Sequence, residues 1–215
     1  MGDLPFLMDD AILEDEEIAW AVRRIHLNRS GVPPWMRAEH LRQWLIYATR
    51  DDLPDAINWQ NVVSIVHAVF RDGTLADECT WQTVFLIPKG RRDFRGIGLV
   101  EVLWKALASL LNRRITSSIT LQDVLHGFQA GRGMGTATLE EKLLQQLTAT
   151  REAVLFEVFL ELHKSYDDLK CYTCLDIIAG YGVGPRTIQL LWTYWDQLTM
   201  MSRAGGYFRR SLKGY

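Results

Sequence analysis

The sequence predicts an α+β fold, because helical and strand-like patterns are both present in a chain of ordinary globular composition. Its 215 residues are 48% hydrophobic and 23% charged, values typical of a protein that buries one sizeable core. Apolar residues at helical spacing fill the first third of the chain, and runs of β-branched and aromatic residues come later. We therefore expect a helical N-terminal subdomain followed by mixed segments that are not simple βαβ repeats.

Residues 1–75 are predicted to form the helical subdomain. Ile18 and Val22 share one helix face behind an acidic first turn, which complements the helix dipole. Pro54 interrupts the preceding helical pattern. Asn58 can cap the next helix, and Gly73 can end it. The predicted helices span residues 14–29, 36–49 and 58–71.

The remainder, residues 76–215, mixes predicted strands with helices. Residues 153–160 (AVLFEVFL) contain a single charge, Glu157, and are therefore predicted to form a buried strand. Residues 126–135 contain four glycines and are predicted to form a loop. The predicted strands lie at 81–87, 153–160 and 199–204, and the predicted helices at 99–115, 137–148, 168–179 and 185–198. The tryptophans expected in the core are Trp104, Trp192 and Trp195.

The charge is unevenly distributed, although the net charge is only −2 and the pI is about 6.2. The first seventeen residues carry seven carboxylates and no Lys or Arg, whereas cations cluster at residues 89–95, at 113–114 and at 209–213. The overall charge argues against a free-standing nucleic-acid binder, which is usually basic. Without the acidic N-terminal residues the rest of the chain would be mildly basic.

We expect a non-secreted intracellular protein, in the nucleus or the cytoplasm. The N-terminus lacks the basic and apolar regions of a secretion signal, and no stretch is long enough to span a membrane. Three cysteines do not suggest a disulfide framework. The Cys171-x-x-Cys174 pair has no second pair at zinc spacing, so we expect it within a helix and assign it no function.

Three motifs follow one another along the chain. The first is WQTVFLIPKG at residues 81–90, with DFRGIGL at 93–99 and WKA at 104–106. The second is HGFQAGRG at 126–133, and the third is VFLELHKSYD at 158–167. In this order they resemble the fingers motifs, the Gly-Phe-Arg turn and the first palm motif of reverse transcriptases from non-LTR retrotransposons and group II introns. The resemblance implies fingers over residues 76–150 and the start of a palm, with an incomplete sheet, over residues 151–215.

The resemblance implies RNA-templated DNA synthesis, with an RNA template, a DNA primer, a deoxynucleoside triphosphate and Mg²⁺. In this reaction a primer hydroxyl attacks the α-phosphate at a site with two metal ions held by carboxylates. Glu161 matches the position of the first metal-binding aspartate, which makes it the candidate catalytic and metal-binding residue. Lys89 and Arg95 match the positions that bind the incoming nucleotide. Tyr166 matches the aromatic residue that packs under the sugar and excludes a 2′-hydroxyl.

Three other cations are candidate contacts for nucleic-acid phosphates: Arg91, Arg92 and Arg132. Simpler interpretations remain open for several matched residues. Lys89 could be a solvated loop cation, Tyr166 a core tyrosine, and Asp167 a cap for the following helix.

The sequence also departs from the family pattern. Glu161 replaces an aspartate, which moves the carboxylate by about 1.5 Å, one bond length, and errors of about 1 Å can cost ~100-fold in rate. Gln129 stands where the turn usually has Arg, and Ser165 replaces a small Ala. No x-Asp-Asp turn suitable for the remaining metal ligands occurs in the chain. We therefore expect a fragment or degenerate copy of a mobile-element reverse transcriptase that does not polymerise by itself.

Two other functions fit the same residues. The chain could be a non-catalytic scaffold that binds nucleic acid or protein through the fingers surface. It could also be an unrelated helical interaction module whose motif matches are accidental. Lack of sheet pairing between residues 154–162 and 199–204 would favour the helical module.

Overall fold

The computed structural model describes residues 10–27, 36–48, 54–89, 94–119, 121–122, 124–161, 169–202 and 207–209. These residues form two compact units. Unit 1 is made of the described residues within Met1–Ser118 and Lys170–Tyr215, and unit 2 of those within Ile119–Leu169. The predicted boundary near residue 75 falls inside unit 1.

The described residues contain helices and one small sheet, so the predicted α+β class is confirmed. The helices are α1 (Asp15–Arg24), α2 (Ala38–Ile46), α3 (Pro54–Asp72), α4 (Val102–Ser118), α5 (Met134–Thr150), α6 (Cys171–Gly180) and α7 (Pro185–Gln197). Cys171 and Cys174 lie in α6, as expected. None of the described helices combines the length and apolar character needed to cross a bilayer.

The core of unit 1 lies among α1, α2, α3, α4 and α7. Val22, Leu41, Phe70 and Leu110 are almost completely removed from solvent within it. Helix α3 begins at Pro54 and not at Asn58 as predicted, because proline is well tolerated in a first helical turn, where its missing N–H has no intrahelical partner. The three amphipathic helices predicted from the first 75 residues are therefore present, with altered ends.

The tryptophans predicted as core residues differ in their environments. Trp104 is buried and stacks on Tyr194 of α7, with ring centroids 3.9 Å apart. Trp195 is partly buried against the core. Trp192 remains 39% exposed, so its prediction was wrong. It lies on α7 at a position whose side chain points away from the core.

Four strands form the sheet: β1 (Trp81–Pro88), β2 (Phe94–Val100), β3 (Thr199–Ser202) and β4 (Tyr207–Arg209). Their order is β2-β1-β3-β4, with β1 antiparallel to β2 and parallel to β3. Strand β2 was not predicted, and the helix predicted from residue 99 begins instead at Val102. Gly96 and Gly98 lower the strand propensity of β2, but pairing with β1 along its whole length holds it extended.

Helix α4 starts immediately after β2 because Glu101 caps it. The Glu101 carboxylate accepts hydrogen bonds from the N–H groups of Leu103 at 2.6 Å and Trp104 at 3.1 Å. Its side chain is buried, and burial raises the pKa of the carboxyl although these bonds act in the opposite direction. The cap fixes the point at which the β1–β2 hairpin leads into the helical body.

Unit 2 contains α5 and the extended residues 153–161. The predicted buried strand at 153–160 was wrong, because these residues are exposed and belong to no strand. A strand requires a hydrogen-bonding neighbour and a packed face. Among the described residues, β3 pairs with β1 and β4 and does not supply that neighbour.

Candidate functional site

The β1–β2 hairpin brings the two cations of the first motif to the same end of the sheet. Lys89 follows the last residue of β1 and is exposed. Arg95 lies in β2 opposite Ile87, next to the final ladder pair of Pro88 and Phe94. Arg91 and Arg92 belong to the connection between the strands and lie outside the described residues. The backbone therefore places Lys89 and Arg95 at the hairpin end, which also carries this connection.

The hairpin depends on a close approach at Gly98. A Cβ atom at this residue would lie 1.4 Å from Nε2 of Gln82. The Gln82 side chain therefore occupies the space that any larger residue at position 98 would need. At Gly96 the space is larger, with Cγ1 of Val84 at 3.5 Å. Glycine at residue 98 thus lets β2 pack against β1 although it contributes little strand propensity.

The hairpin end is apolar as well as cationic. Leu86, Ile87, Phe94 and Ile97 are all exposed there. Successive residues of a strand face opposite sides of the sheet, so Leu86 and Phe94 lie on one face and Ile87 and Ile97 on the other. The hairpin end can therefore attract an anion through its cations and cover part of its partner with apolar side chains.

The glycine-rich turn of unit 2 is held by its own hydrogen bonds. His126 contacts the Thr136 hydroxyl through Nδ1 at 2.9 Å and the Glu140 carboxylate through Nε2 at 2.5 Å. The Gln129 amide donates to the Leu125 carbonyl at 2.7 Å. Because Gln129 bonds within its own turn, it stabilises the loop and does not replace the phosphate contact of an arginine.

Arg132 lies in the same turn and lines an open cleft with His126, Thr136 and Glu140. Gly131 adopts a left-handed φ of 76° immediately before it, a conformation that glycine favours. The turn ends at Gly133, the N-cap of α5. Arg132 is therefore presented at the positive end of a helix, which suits the phosphate contact expected of it.

The expected metal site is not assembled by the described residues. Glu161 is exposed at the end of the extended run of unit 2, and Tyr166 and Asp167 lie outside the described residues. No group of three or more His, Cys, Asp or Glu side chains that could hold a metal occurs among the residues described. Glu161 by itself does not fit a two-metal centre, which needs several carboxylates. The Mg²⁺ site implied by the resemblance stays a prediction.

Sheet pairing between residues 154–162 and 199–204 is also missing in the part of this segment that the structure describes. This is the outcome expected of a helical module with accidental motif matches. No protein-family model and no curated protein sequence matches the chain. The resemblance therefore rests on the order and spacing of its sequence motifs.

The structure also brings together cations that the motif analysis did not single out. Arg24 of α1 and Arg113 of α4 both stack on the Trp20 ring, at 5.1 and 4.3 Å from its centroid. The spacing of Lys105, Ser109 and Arg113, at intervals of four residues, could have indicated a polar stripe on α4. The pairing of that stripe with α1 depends on the tertiary fold.

Proposed function

We propose that residues 76–215 derive from the fingers and first palm segment of a retrotransposon- or intron-type reverse transcriptase. We further propose that the hairpin end binds the phosphates of a nucleotide or of a template–primer. The observation that carries this proposal is the order strand, cationic connection, strand and helix. In this order Lys89 follows β1, Arg95 belongs to β2 and Lys105 lies in the first turns of α4.

The chemistry of the hairpin end supports phosphate binding. Lysine and arginine differ in how they contact phosphate, the first as a point charge and the second through a planar fork of donors. Lys89, directly after β1, and Arg95, in β2, lie at the same end of the hairpin, so both can contribute charge to the binding of one phosphate-bearing ligand. Cations that neutralise phosphates contribute to affinity mainly by releasing counterions, so binding should weaken as salt increases.

Polymerisation by this chain is not expected. The family reaction needs Mg²⁺ held by carboxylates, and Glu161 is the matched ligand that the structure describes. Its longer side chain shifts the carboxylate, and a suitable x-Asp-Asp turn is absent from the sequence. The function that fits best is therefore binding of nucleotide or nucleic acid through the hairpin end.

A non-catalytic scaffold is the second candidate, and the exposed apolar residues at the hairpin end favour it. A scaffold would bind a template–primer without any preference for a free deoxynucleoside triphosphate at the same cations. A reverse-transcriptase-like fingers segment would bind both, and the triphosphate would compete with the template–primer.

Fluorescence anisotropy with a labelled RNA–DNA template–primer tests the binding proposal. Lys89→Ala combined with Arg95→Ala should weaken binding about tenfold at about 50 mM salt and lower the salt slope by about two. Arg37→Ala combined with Arg151→Ala is the matched control, because both arginines are exposed and lie away from the hairpin in sequence. Equal affinities for the two double variants would refute the hairpin site.

Primer extension with Mg²⁺ or Mn²⁺ tests the expectation of inactivity. No templated incorporation is expected from the 215-residue chain, and Glu161→Asp is the variant that restores the family residue. Incorporation that follows the template by the unaltered chain would show that it assembles a complete polymerase site.

A further inference from the structure

The α1–α4 basic surface consists of Arg24, His26, Lys105, Ser109 and Arg113 and lies within unit 1. Helices α1 and α4 pack directly against each other, which brings these residues to one side of the unit. Arg24, His26, Lys105 and Ser109 line one open cleft, and Arg113 continues the α4 stripe one turn further. Among the described residues that line the cleft, none is acidic.

Trp20 holds two of the cations in position. Both Arg24 and Arg113 place their guanidinium groups over its ring, within the range of cation–π contacts. A guanidinium that lies over an aromatic ring can keep N–H donors directed away from the ring for other partners. Arg24 and Arg113 are exposed, so these donors can reach a ligand outside the protein.

The carboxylates near this surface already have other partners. Glu17, whose pKa is lowered mainly by its hydrogen bond to Arg114, accepts the Nε–H of that residue at 2.9 Å. Glu101 interacts electrostatically with Lys105, but its side chain is buried and caps α4. Arg113 also lowers the pKa of Glu17 through its charge, but less than Arg114 does, and Glu101 accepts hydrogen bonds from backbone N–H groups.

We infer that the α1–α4 basic surface binds the sugar–phosphate backbone of a double-stranded nucleic acid, at residues distinct from the hairpin end. Planar guanidinium donors can bind phosphate oxygens in pairs, and the Ser109 hydroxyl can contribute a further contact. The linear stripe along α4 suits a backbone with regularly spaced phosphates. Contacts of this type position a duplex without reading its sequence.

This inference rests on the nucleic-acid partner of the proposed function but uses different residues. The hairpin variants and the variants of this surface therefore give independent answers. Loss of binding in Arg24→Ala/Arg113→Ala with no loss in Lys89→Ala/Arg95→Ala would refute the hairpin proposal and support this one. The reverse result would overturn this inference and support the hairpin.

The experiment measures binding of the 215-residue chain to labelled RNA–DNA hybrids of two unrelated sequences between about 50 and 200 mM salt. Arg24→Ala/Arg113→Ala should weaken both hybrids about equally, by about tenfold at the lowest salt, and lower the salt slope by about two. The control Arg37→Ala/Arg151→Ala has the same change in charge and should bind like the unaltered chain. Equal loss in the control would overturn the inference.

Two further variants separate charge from geometry. Arg24→Lys/Arg113→Lys keeps the charge, so the salt slope should be retained while affinity falls, because the planar donors are lost. Trp20→Leu keeps an apolar side chain but removes the ring, so it should weaken binding less than the double alanine variant. If both variants bind the hybrids as tightly as the unaltered chain, the contact of the two arginines with Trp20 has no role in binding, and the inference is overturned.

Anionic vesicles test the alternative partner. Vesicles of phosphatidylserine and phosphatidylcholine are sedimented with the same variants. The inference expects hybrid binding that depends on Arg24 and Arg113. Binding to the vesicles that depends on these residues, without hybrid binding, would overturn the inference and assign the surface to a membrane.

Discussion

Units 1 and 2 have similar kinds of apolar residues but use them differently. In unit 1 the apolar faces of five helices meet in a core that contains Phe70 and Leu110. In unit 2 none of the described residues is buried, and Leu143, Phe156 and Phe159 are exposed. An apolar pattern therefore predicts a surface that can be buried, whereas burial itself requires a second surface to pack against.

The free energy of unfolding should respond most differently to removal of one phenylalanine from each unit, Phe70 from unit 1 and Phe156 from unit 2. Phe70 is 1% exposed and Phe156 is 88% exposed. Phe70→Ala should lower the free energy of unfolding by about 3–5 kcal/mol, because it removes a large side chain from a packed core. Phe156→Ala should change it by less than about 0.5 kcal/mol. Urea denaturation followed by tryptophan fluorescence checks both, and similar losses would show that Phe156 is buried in solution.

A smaller effect is expected at Glu101, the cap of α4. Glu101→Ala should cost about 1–2 kcal/mol, because it leaves the N–H groups of Leu103 and Trp104 without their acceptor. Glu101→Gln keeps an acceptor oxygen and should cost less. Thermal unfolding at one pH should rank the unaltered protein as most stable, Glu101→Gln as intermediate and Glu101→Ala as least stable. Equal losses in the two variants would contradict the role of the cap.

The same residue predicts the sign of a pH dependence. Because the folded-state pKa of Glu101 is raised, the folded protein binds the proton more tightly than the unfolded chain. Its contribution to stability is therefore present at low pH and is lost as pH rises through the raised pKa. The stability of the unaltered protein relative to Glu101→Gln should fall over that range. A difference that rises with pH would contradict the sign.

The smallest expected effects concern two glycines. Gly98→Ala should cost about 1 kcal/mol, because the new Cβ displaces the Gln82 side chain, whose flexible end can move away. Gly135 of α5 has nothing within 4 Å of an added Cβ, so Gly135→Ala should increase helix content through a gain of about 0.5–1 kcal/mol. Circular dichroism during thermal unfolding compares them. Combining Gln82→Ser with Gly98→Ala should recover the loss if the contact is its cause.

Local patterns predicted the helical body better than the sheet. The helices containing Ile18, Leu41 and Leu110 were recognised from periodicity, because their apolar faces meet in unit 1. Strand β2 was missed because Gly96 and Gly98 lower the strand propensity of its sequence. Residues 153–160 were wrongly predicted as a strand because their apolar composition was the only evidence. The cations Lys89 and Arg95 were recognised by motif, whereas the stacking of Arg24 and Arg113 on Trp20 was not.

The α+β class, most of the helices, the strand at residues 81–87 and the cationic motif that follows it could all be predicted from the amino-acid sequence. These features depend on neighbours within a few residues, through side-chain periodicity, capping and turn chemistry. Three features became visible only in the folded chain: β1 pairs with β3, the Gln82 side chain packs over Gly98, and α1 and α4 share a basic surface. Those contacts join residues far apart in the chain, and which surfaces meet depends on the packing of all the elements together.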